Sequence, residues 1–335
     1  MTSTLMGNTA QSPAPSTMMA WRVHEFGPPE AMIFETAPRP DPGPGEVLVR
    51  VHAAGVGPWD GWIRAGKSAL PQPLPLTLGA DLSGKVAALG SGISGLAVGD
   101  QVFGVTNPQF VGAYAEYAVA SAGMLAKKPS ALSYIEAASV PVIAVTAWQG
   151  LFDQARLEAG QTVVIHGAAG NVGAYAVQLA RHARLRCIAT AGTKDIDYVR
   201  GLGADKVVDY HTQRFEDEVK DADAVLDLVG GETQIRSFQV LRPGGKLIST
   251  VSQPDQERAK HHGVTAAFFL VDVTTERLRK IAELIDRGEL KTHVGAVLPL
   301  AYARDAHMML EGRRPPPRGK IVLNVEAAGK VTSAA

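Results

Sequence analysis

Thr162-Val163-Val164-Ile165-His166-Gly167-Ala168-Ala169-Gly170-Asn171-Val172-Gly173 is the stretch whose reading decides the fold of this chain. Its first five residues are a β-branched run, long enough for one buried strand. Gly167, Gly170 and Gly173 follow at a spacing of three. Val172, Tyr175, Ala176, Leu179, Ala180 and Ala183 then recur at helical spacing, so a helix starts at the turn and buries one face. Strand, glycine turn and amphipathic helix together make the first βα unit of a dinucleotide-binding fold. The first glycine permits a tight turn, the second lets the backbone approach a pyrophosphate, and the third lets the helix pack closely on the strand. Free N–H groups and the positive dipole end at the helix start suit phosphate. Ordinary turn chemistry also produces this glycine spacing, so the rest of the chain carries the decision.

Downstream, strand candidates at 163–166, 186–190, 206–209, 223–229, 246–251 and 266–271 alternate with helical segments. That alternation predicts an α/β, doubly wound parallel sheet with helices on both faces, and six strands suit a Rossmann domain. Upstream, from 20 to about 142, short strands at 32–35, 46–53, 84–89 and 101–105 are separated by turn clusters such as Pro40-Asp41-Pro42-Gly43-Pro44-Gly45. This texture predicts a mainly β, partly open, barrel-like domain. An amphipathic helix over 276–287 follows the nucleotide unit, with Thr274 or Thr275 as its cap and Gly288 at its end. A further helix at 301–310 precedes a strand at 320–325, which is expected to return to the first domain. Residues 1–18 read as a disordered leader, 19–143 with 276–335 as the substrate domain, and 144–275 as the dinucleotide domain. Met18 or Met19 is a candidate biological start, because ordered-looking sequence begins at Ala20.

The 335 residues are 46% hydrophobic and carry 33 basic and 33 acidic side chains, a balance typical of a soluble globular protein of about two domains. Zero formal net charge gives no electrostatic reason to expect nucleic acid or an anionic membrane as partner. No apolar run approaches the roughly 18 residues of a membrane span. The leader lacks the features of a secretory signal or a transit peptide, so a cytoplasmic location is expected. With one cysteine, Cys187, the chain can form no intrachain disulfide and no thiolate cluster for a metal. Cys187 itself reads as a small buried side chain in a strand.

The order of β domain, Gly167 to Gly173 turn, and Val225-Leu226-Asp227-Leu228-Val229-Gly230-Gly231 resembles the medium-chain dehydrogenase/reductases. Within them it is most similar to the zinc-independent quinone oxidoreductases, the ζ-crystallin-like branch. Leu78-Gly79-Ala80-Asp81-Leu82-Ser83-Gly84, Gly112-Ala113-Tyr114-Ala115-Glu116-Tyr117 and Arg242-Pro243-Gly244-Gly245-Lys246 support the likeness, which covers about residues 20–325. The resemblance implies that the β domain is GroES-like. It also implies hydride transfer from NADPH to a quinone or an α,β-unsaturated carbonyl compound, in a homodimer formed through the last strand of the nucleotide sheet. Where zinc-using relatives carry Gly-His-Glu, this chain has Gly79-Ala80-Asp81. A ligand cysteine gives way to Gly55-Val56-Gly57-Pro58-Trp59-Asp60, and the third ligand position corresponds roughly to Ala144. No metal is expected. Two other readings stay open: a nucleotide-binding, redox-sensing or structural protein without turnover, and a residual zinc-dependent alcohol dehydrogenase.

Cofactor choice is readable at the end of the second strand. NAD sites place an acid about 20 residues past the glycine turn to bond the ribose 2′-hydroxyl. Here Gly192-Thr193-Lys194 intervenes before Asp195, and a hydroxyl with a cation suits a 2′-phosphate. The resemblance adds Tyr210 after the third strand and a C-terminal arginine, for which Arg313, Arg314 and Arg318 are candidates and Arg318 is preferred. NADPH is the expected cofactor. For the nicotinamide end the resemblance implies Thr146, Val229, Val251, Ser252 and the backbone of Phe269, Leu270 and Val271. Around the glycine turn it implies Ala168, Ala169, Asn171 and Val172 beside the three glycines. The substrate wall resembles the family at Asp60, Trp62 and Tyr114. Asp60 reads as a hydrogen-bond acceptor near the reacting carbonyl or as a turn-capping residue, Trp62 as a flat face for a quinone ring, and Tyr114 as a proton donor or as packing ahead of a β-strand. An asparagine common three residues before Asp60 in the family is Gly57 here.

Overall fold

The structure, a computed structural model, describes residues 16–315 and 317–326. Eight strands come first: β1 (Thr17–Val23), β2 (Met32–Pro38), β3 (Glu46–Val56), β4 (Leu76–Thr77), β5 (Asp81–Leu89), β6 (Gln101–Val105), β7 (Tyr117–Ser121) and β8 (Leu125–Lys127). Six parallel strands follow: β9 (Thr162–Ile165), β10 (Arg186–Ala191), β11 (Lys206–Asp209), β12 (Ala222–Asp227), β13 (Leu241–Ser249) and β14 (Thr265–Phe268). β15 (Val294–Pro299) and β16 (Lys320–Asn324) close the chain.

The parallel sheet runs in the order β11-β10-β9-β12-β13-β14. Strand order therefore reverses between β9 and β12, and a doubly wound sheet opens its ligand crevice at such a point, beyond the carboxyl ends of the strands. Period-two alternation makes the sheet two-faced. Val163 and Ile165 of β9 enter one core with Tyr175, Ala176 and Leu179 of the helix Asn171–His182, whereas Val164 enters the opposite core with Phe215 and Phe238. The helix Thr275–Asp286 is capped by the Thr274 hydroxyl, and Gly288 follows it at φ +72°. Its Leu278, Ile281, Leu284 and Ile285 are buried in the first of these two cores.

The mainly β part joins a seven-stranded sheet, β15-β16-β3-β5-β6-β8 with β7 also on β3, to a three-stranded sheet, β2-β1-β4. β16 does return to this part, pairing antiparallel with β3 from Ile321 opposite Val56 to Asn324 opposite Ala53. β15, which lacks any periodic signal in the sequence, adds to it in parallel.

Some boundaries differ from those expected. Thr17 and Met18, assigned to the leader, are already paired with Pro38 and Ala37 in β1, and Met18 is buried. Residues 1–15 lie outside the described residues. β14 ends at Phe268, so Phe269, Leu270 and Val271 leave the ladder and reach the crevice as irregular backbone. No helix of the described residues is long and apolar enough to cross a membrane.

Candidate active site

Every residue expected near the cofactor on the parallel sheet lies just past the carboxyl end of a strand: Gly167 after β9, Gly192 after β10, Tyr210 after β11, Val229 after β12, Val251 after β13 and Leu270 after β14. Their side chains stay open although several are apolar, with Tyr210 59%, Val229 49%, Val251 50% and Leu270 60% exposed. An apolar row along the crevice of a doubly wound sheet is what flat, partly apolar rings require.

The glycine turn has a separate physical reason at each end. Gly167 sits at φ +69°, a left-handed conformation that a β-carbon disfavours. A β-carbon on Gly173 would stand 2.3 Å from the Gly167 carbonyl oxygen and 2.6 Å from the Ala168 α-carbon. No side chain fits there, so helix and strand approach only through glycine. Gly170 is the N-cap of the helix that begins at Asn171, with Val172 in its first turn. Ala168 is buried beneath the turn, and Ala169 packs partly against the same core.

The loops after β12 and β13 are fixed by Asp227, which is fully buried. Its Oδ1 accepts the Val229 and Gly230 N–H groups at 3.0 and 2.8 Å, and its Oδ2 accepts from Gln234 and the Ser249 hydroxyl, each at 2.9 Å. Gln234 also reaches the Ser252 carbonyl at 3.2 Å. Asp227 thus holds Val229 directly, and Ser252 and Val251 through Gln234 and the Ser249 hydroxyl. Gln149 plays a similar part at the next loop, accepting the Asp272 N–H at 2.9 Å and donating to the Leu270 carbonyl at 3.4 Å. Gln149 caps the helix Pro141–Trp148, which carries Thr146. The Thr146 hydroxyl donates to the Val142 carbonyl at 2.7 Å, and the residue is 7% exposed. Sequence reading gave neither Asp227 nor Gln149 a role. The signal for Asp227 was present, since a strand-ending aspartate before Gly230-Gly231 is a turn-forming residue.

At the other end of the crevice Gly192 opens a tight turn, Thr193–Asp195. A β-carbon on Gly192 would stand 3.0 Å from the Tyr210 hydroxyl, so the phenol lies over this glycine. Lys194 is exposed. Thr193 spends its hydroxyl hydrogen on Asp209, 2.7 Å away, which leaves Lys194 as the side-chain donor of the pair. Arg318 pairs with Asp195 and lies over the Tyr198 ring, with its guanidinium carbon 5.0 Å from the ring centre. Arg313 and Arg314 are engaged elsewhere, with Glu30 at 2.9 Å and Asp305 at 2.7 Å.

The substrate-wall residues separate into two groups. Trp62 is 58% exposed, but Asp60 and Tyr114 have no exposed surface. Asp60 stands in the first turn of the helix Pro58–Arg64, and its Oδ2 accepts the Gly57 N–H at 2.8 Å and the Tyr114 hydroxyl at 2.9 Å. The turn-capping role is therefore filled. Burial pushes the Asp60 carboxyl up to about 7, against the pull of the Gly57 N–H, Lys320 and Tyr114. Burial, reinforced by Asp60, holds the Tyr114 phenol well above 10. A β-carbon on Gly57 would stand 2.3 Å from the Trp59 indole, so any side chain there, the family's asparagine included, must displace that ring. Asp81 and Lys320 form a buried ion pair at 2.8 Å. The free Asp81 oxygen accepts the Val142 N–H at 2.9 Å, and the Lys320 ammonium lies 4.2 Å from the Trp59 ring centre. One carboxylate thereby ties β5 and β16 to the helix that carries Thr146.

Two family models match the chain: an alcohol dehydrogenase GroES-like domain over residues 43–130 and a zinc-binding dehydrogenase over residues 202–323. Human quinone oxidoreductase is 31% identical over 308 residues, spanning 87% of this chain and 93% of that protein. The chloroplastic NADPH-dependent alkenal/one oxidoreductase of Arabidopsis thaliana is 31% identical over 329 residues, spanning 94% of this chain and 81% of that protein. The solved quinone oxidoreductase of Coxiella burnetii superposes with a TM-score of 0.85 at 33% identity, covering 92% of this chain and 99% of that one. The chain belongs to the medium-chain dehydrogenase/reductase family. As a member it pairs a GroES-like β domain with a Rossmann-type parallel sheet. Ala80 and Ala144 carry no ligand atom in their side chains, and Asp81 is paired with Lys320. Among the described residues no group of three or more His, Cys, Asp or Glu side chains is placed to hold a metal.

Proposed function

We propose that this chain is an NADPH-dependent reductase of quinones or α,β-unsaturated ketones and aldehydes that works without a metal. The observation that carries the reading is the gathering of Lys194, Tyr210 and Arg318 around the Gly192 turn, at the crevice of a sheet whose first turn is closed by Gly167 and Gly173. Two cations and a phenol suit a 2′-phosphate. The names of the human and Arabidopsis relatives support the same acceptor classes.

NADPH, when bound, supplies hydride. Lys194, Tyr210 and Arg318 hold its adenosine end, the backbone of the Gly167–Gly173 turn and the helix start receive the pyrophosphate, and Val229, Val251, Ser252 and the Phe269-Leu270-Val271 backbone orient the nicotinamide. Thr146 lines the same end. Trp62 presents an open aromatic face to the acceptor ring. Asp60 and Tyr114 position that wall from beneath through their hydrogen bond. Without a Lewis acid the carbonyl relies on hydrogen bonds and solvent, which suits acceptors that are already electron-poor.

The enclosed position of Asp60 and Tyr114 favours the second reading, a nucleotide-binding protein without significant turnover, because neither can pass a proton to an open cleft as it stands. The single cysteine, whose thiol burial pushes up to about 12, suits a reducing compartment such as the cytoplasm. β14 pairs only with β13 among the described residues, and this sheet edge supports homodimerisation by strand addition.

The test is NADPH consumption against a panel of quinones, enones and alkenals, with NADH alongside and with a chelator present. Turnover of one acceptor class with NADPH, unchanged by the chelator, is the expected result. Activity restored only by zinc would overturn the metal-free reading. Tight NADPH binding with no turnover on any acceptor would favour the binding protein.

A further inference from the structure

Arg318 meets its two neighbours in one short segment. Its Nη2 donates to Oδ1 of Asp195, the last residue of the turn after β10, and its guanidinium lies 5.0 Å from the ring centre of Tyr198, in the helix Ile196–Leu202 that follows. Asp195 is also the first acid after β10. In NADH-selective sites an acid in this part of the fold accepts the ribose 2′-hydroxyl and repels a 2′-phosphate.

We propose that Asp195 sets the balance between NADPH and NADH, because Arg318 neutralises it and the 2′-phosphate must displace it from Arg318. The proposal rests on the dinucleotide-site reading above and adds a residue that opposes NADPH. While Arg318 holds it, one Asp195 oxygen is consumed and its charge is compensated, so it neither selects the 2′-hydroxyl nor repels phosphate. The side chains are 45% and 31% exposed, and a partly exposed ion pair is weak. A phosphate carrying up to two charges offers the guanidinium stronger, bidentate hydrogen bonds, so it wins the competition. Tyr198 keeps the guanidinium plane in place during the exchange. Asp195 consequently lowers NADPH affinity without abolishing it. Loss of Arg318 converts Asp195 into a free acid that favours the 2′-hydroxyl.

Calorimetric binding of 2′,5′-ADP and 5′-ADP reads this without any turnover. Asp195→Asn should tighten 2′,5′-ADP about two- to fivefold, the size of a partly exposed ion pair, and leave 5′-ADP unchanged. Arg318→Gln should weaken 2′,5′-ADP about tenfold or more while tightening 5′-ADP. In the double variant the tightening of 5′-ADP seen with Arg318→Gln alone should vanish, since the free acid that favours the 2′-hydroxyl is gone. The proposal is overturned if Asp195→Asn leaves the ratio of the two affinities unchanged, or if Arg318→Gln weakens both probes alike. Failure of the wild-type protein to bind either probe would overturn the site reading as well; binding of both with an unmoved ratio would sink the Asp195 proposal alone.

Discussion

Tyr114 donates a 2.9 Å hydrogen bond to Asp60 in a place that no solvent reaches. Burial is the largest influence on the Asp60 carboxyl and carries it from 3.8 to about 7. The folded value lies above the unfolded one, so Asp60 contributes most below about pH 4, and that contribution is lost as pH rises through about 7. Asp60→Asn removes the titration and keeps an acceptor for Gly57 and Tyr114. Relative to wild type, this variant should gain stability between pH 4 and pH 8, by up to roughly 4 kcal/mol. Urea unfolding of both proteins across that range measures it; a pH-independent difference would contradict the assignment.

Tyr114→Phe separates positioning from proton donation. Removing the phenol leaves Asp60 with one fewer donor and should cost about 1–3 kcal/mol of stability. A phenol held well above 10 and fully buried is a poor acid, so kcat should stay within about threefold of wild type after folding is accounted for. A loss of two orders of magnitude in kcat with unchanged KM would instead make Tyr114 the proton donor.

The Asp81–Lys320 pair predicts an asymmetry between single and double changes. Either Asp81→Asn or Lys320→Met leaves an uncompensated buried group and should destabilise by about 3–5 kcal/mol, whereas the double variant should recover much of that loss. Asp81 also accepts the Val142 N–H, so Asp81→Ala, which removes that acceptor, should loosen the helix that carries Thr146 and raise KM for the acceptor. Thermal melts and a double-mutant cycle decide it; simple additivity would count against the pair.

Gly173→Ala should be more harmful than any other single change in the glycine turn. Its new methyl would have to displace the Gly167 carbonyl and the Ala168 backbone, neither of which is a flexible side-chain end. The expected cost is about 1–3 kcal/mol or more, with loss of NADPH binding. Gly170→Ala, whose β-carbon would stand 3.2 Å from the same carbonyl, should be milder. Fluorescence titration with NADPH ranks the two.

Much of the nucleotide half was legible because its signals are local. β9, the glycine turn and the helix Asn171–His182 each follow from neighbours in sequence, and β11 lies at the expected 206–209. β15 and β1 were harder. Val294–Pro299 has no alternation because its residues are mostly half-buried on both faces, and Thr17–Val23 is held by pairing with Met32–Pro38 rather than by its own pattern. Asp227 was legible as a turn former but not as the buried carboxylate that fixes the loops after β12 and β13. Arg318 was preferred to Arg313 and Arg314 from sequence, but only the structure shows what each of the three pairs with.

The sequence by itself determined the two-part architecture and the glycine turn, because periodicity and glycine placement are properties of short stretches. Tertiary structure decided that Asp60 and Tyr114 are enclosed, that Lys320 pairs with Asp81, and that Arg318 rests on Asp195. Those relations join residues far apart in the chain, so they depend on strand order and packing, which no local pattern encodes.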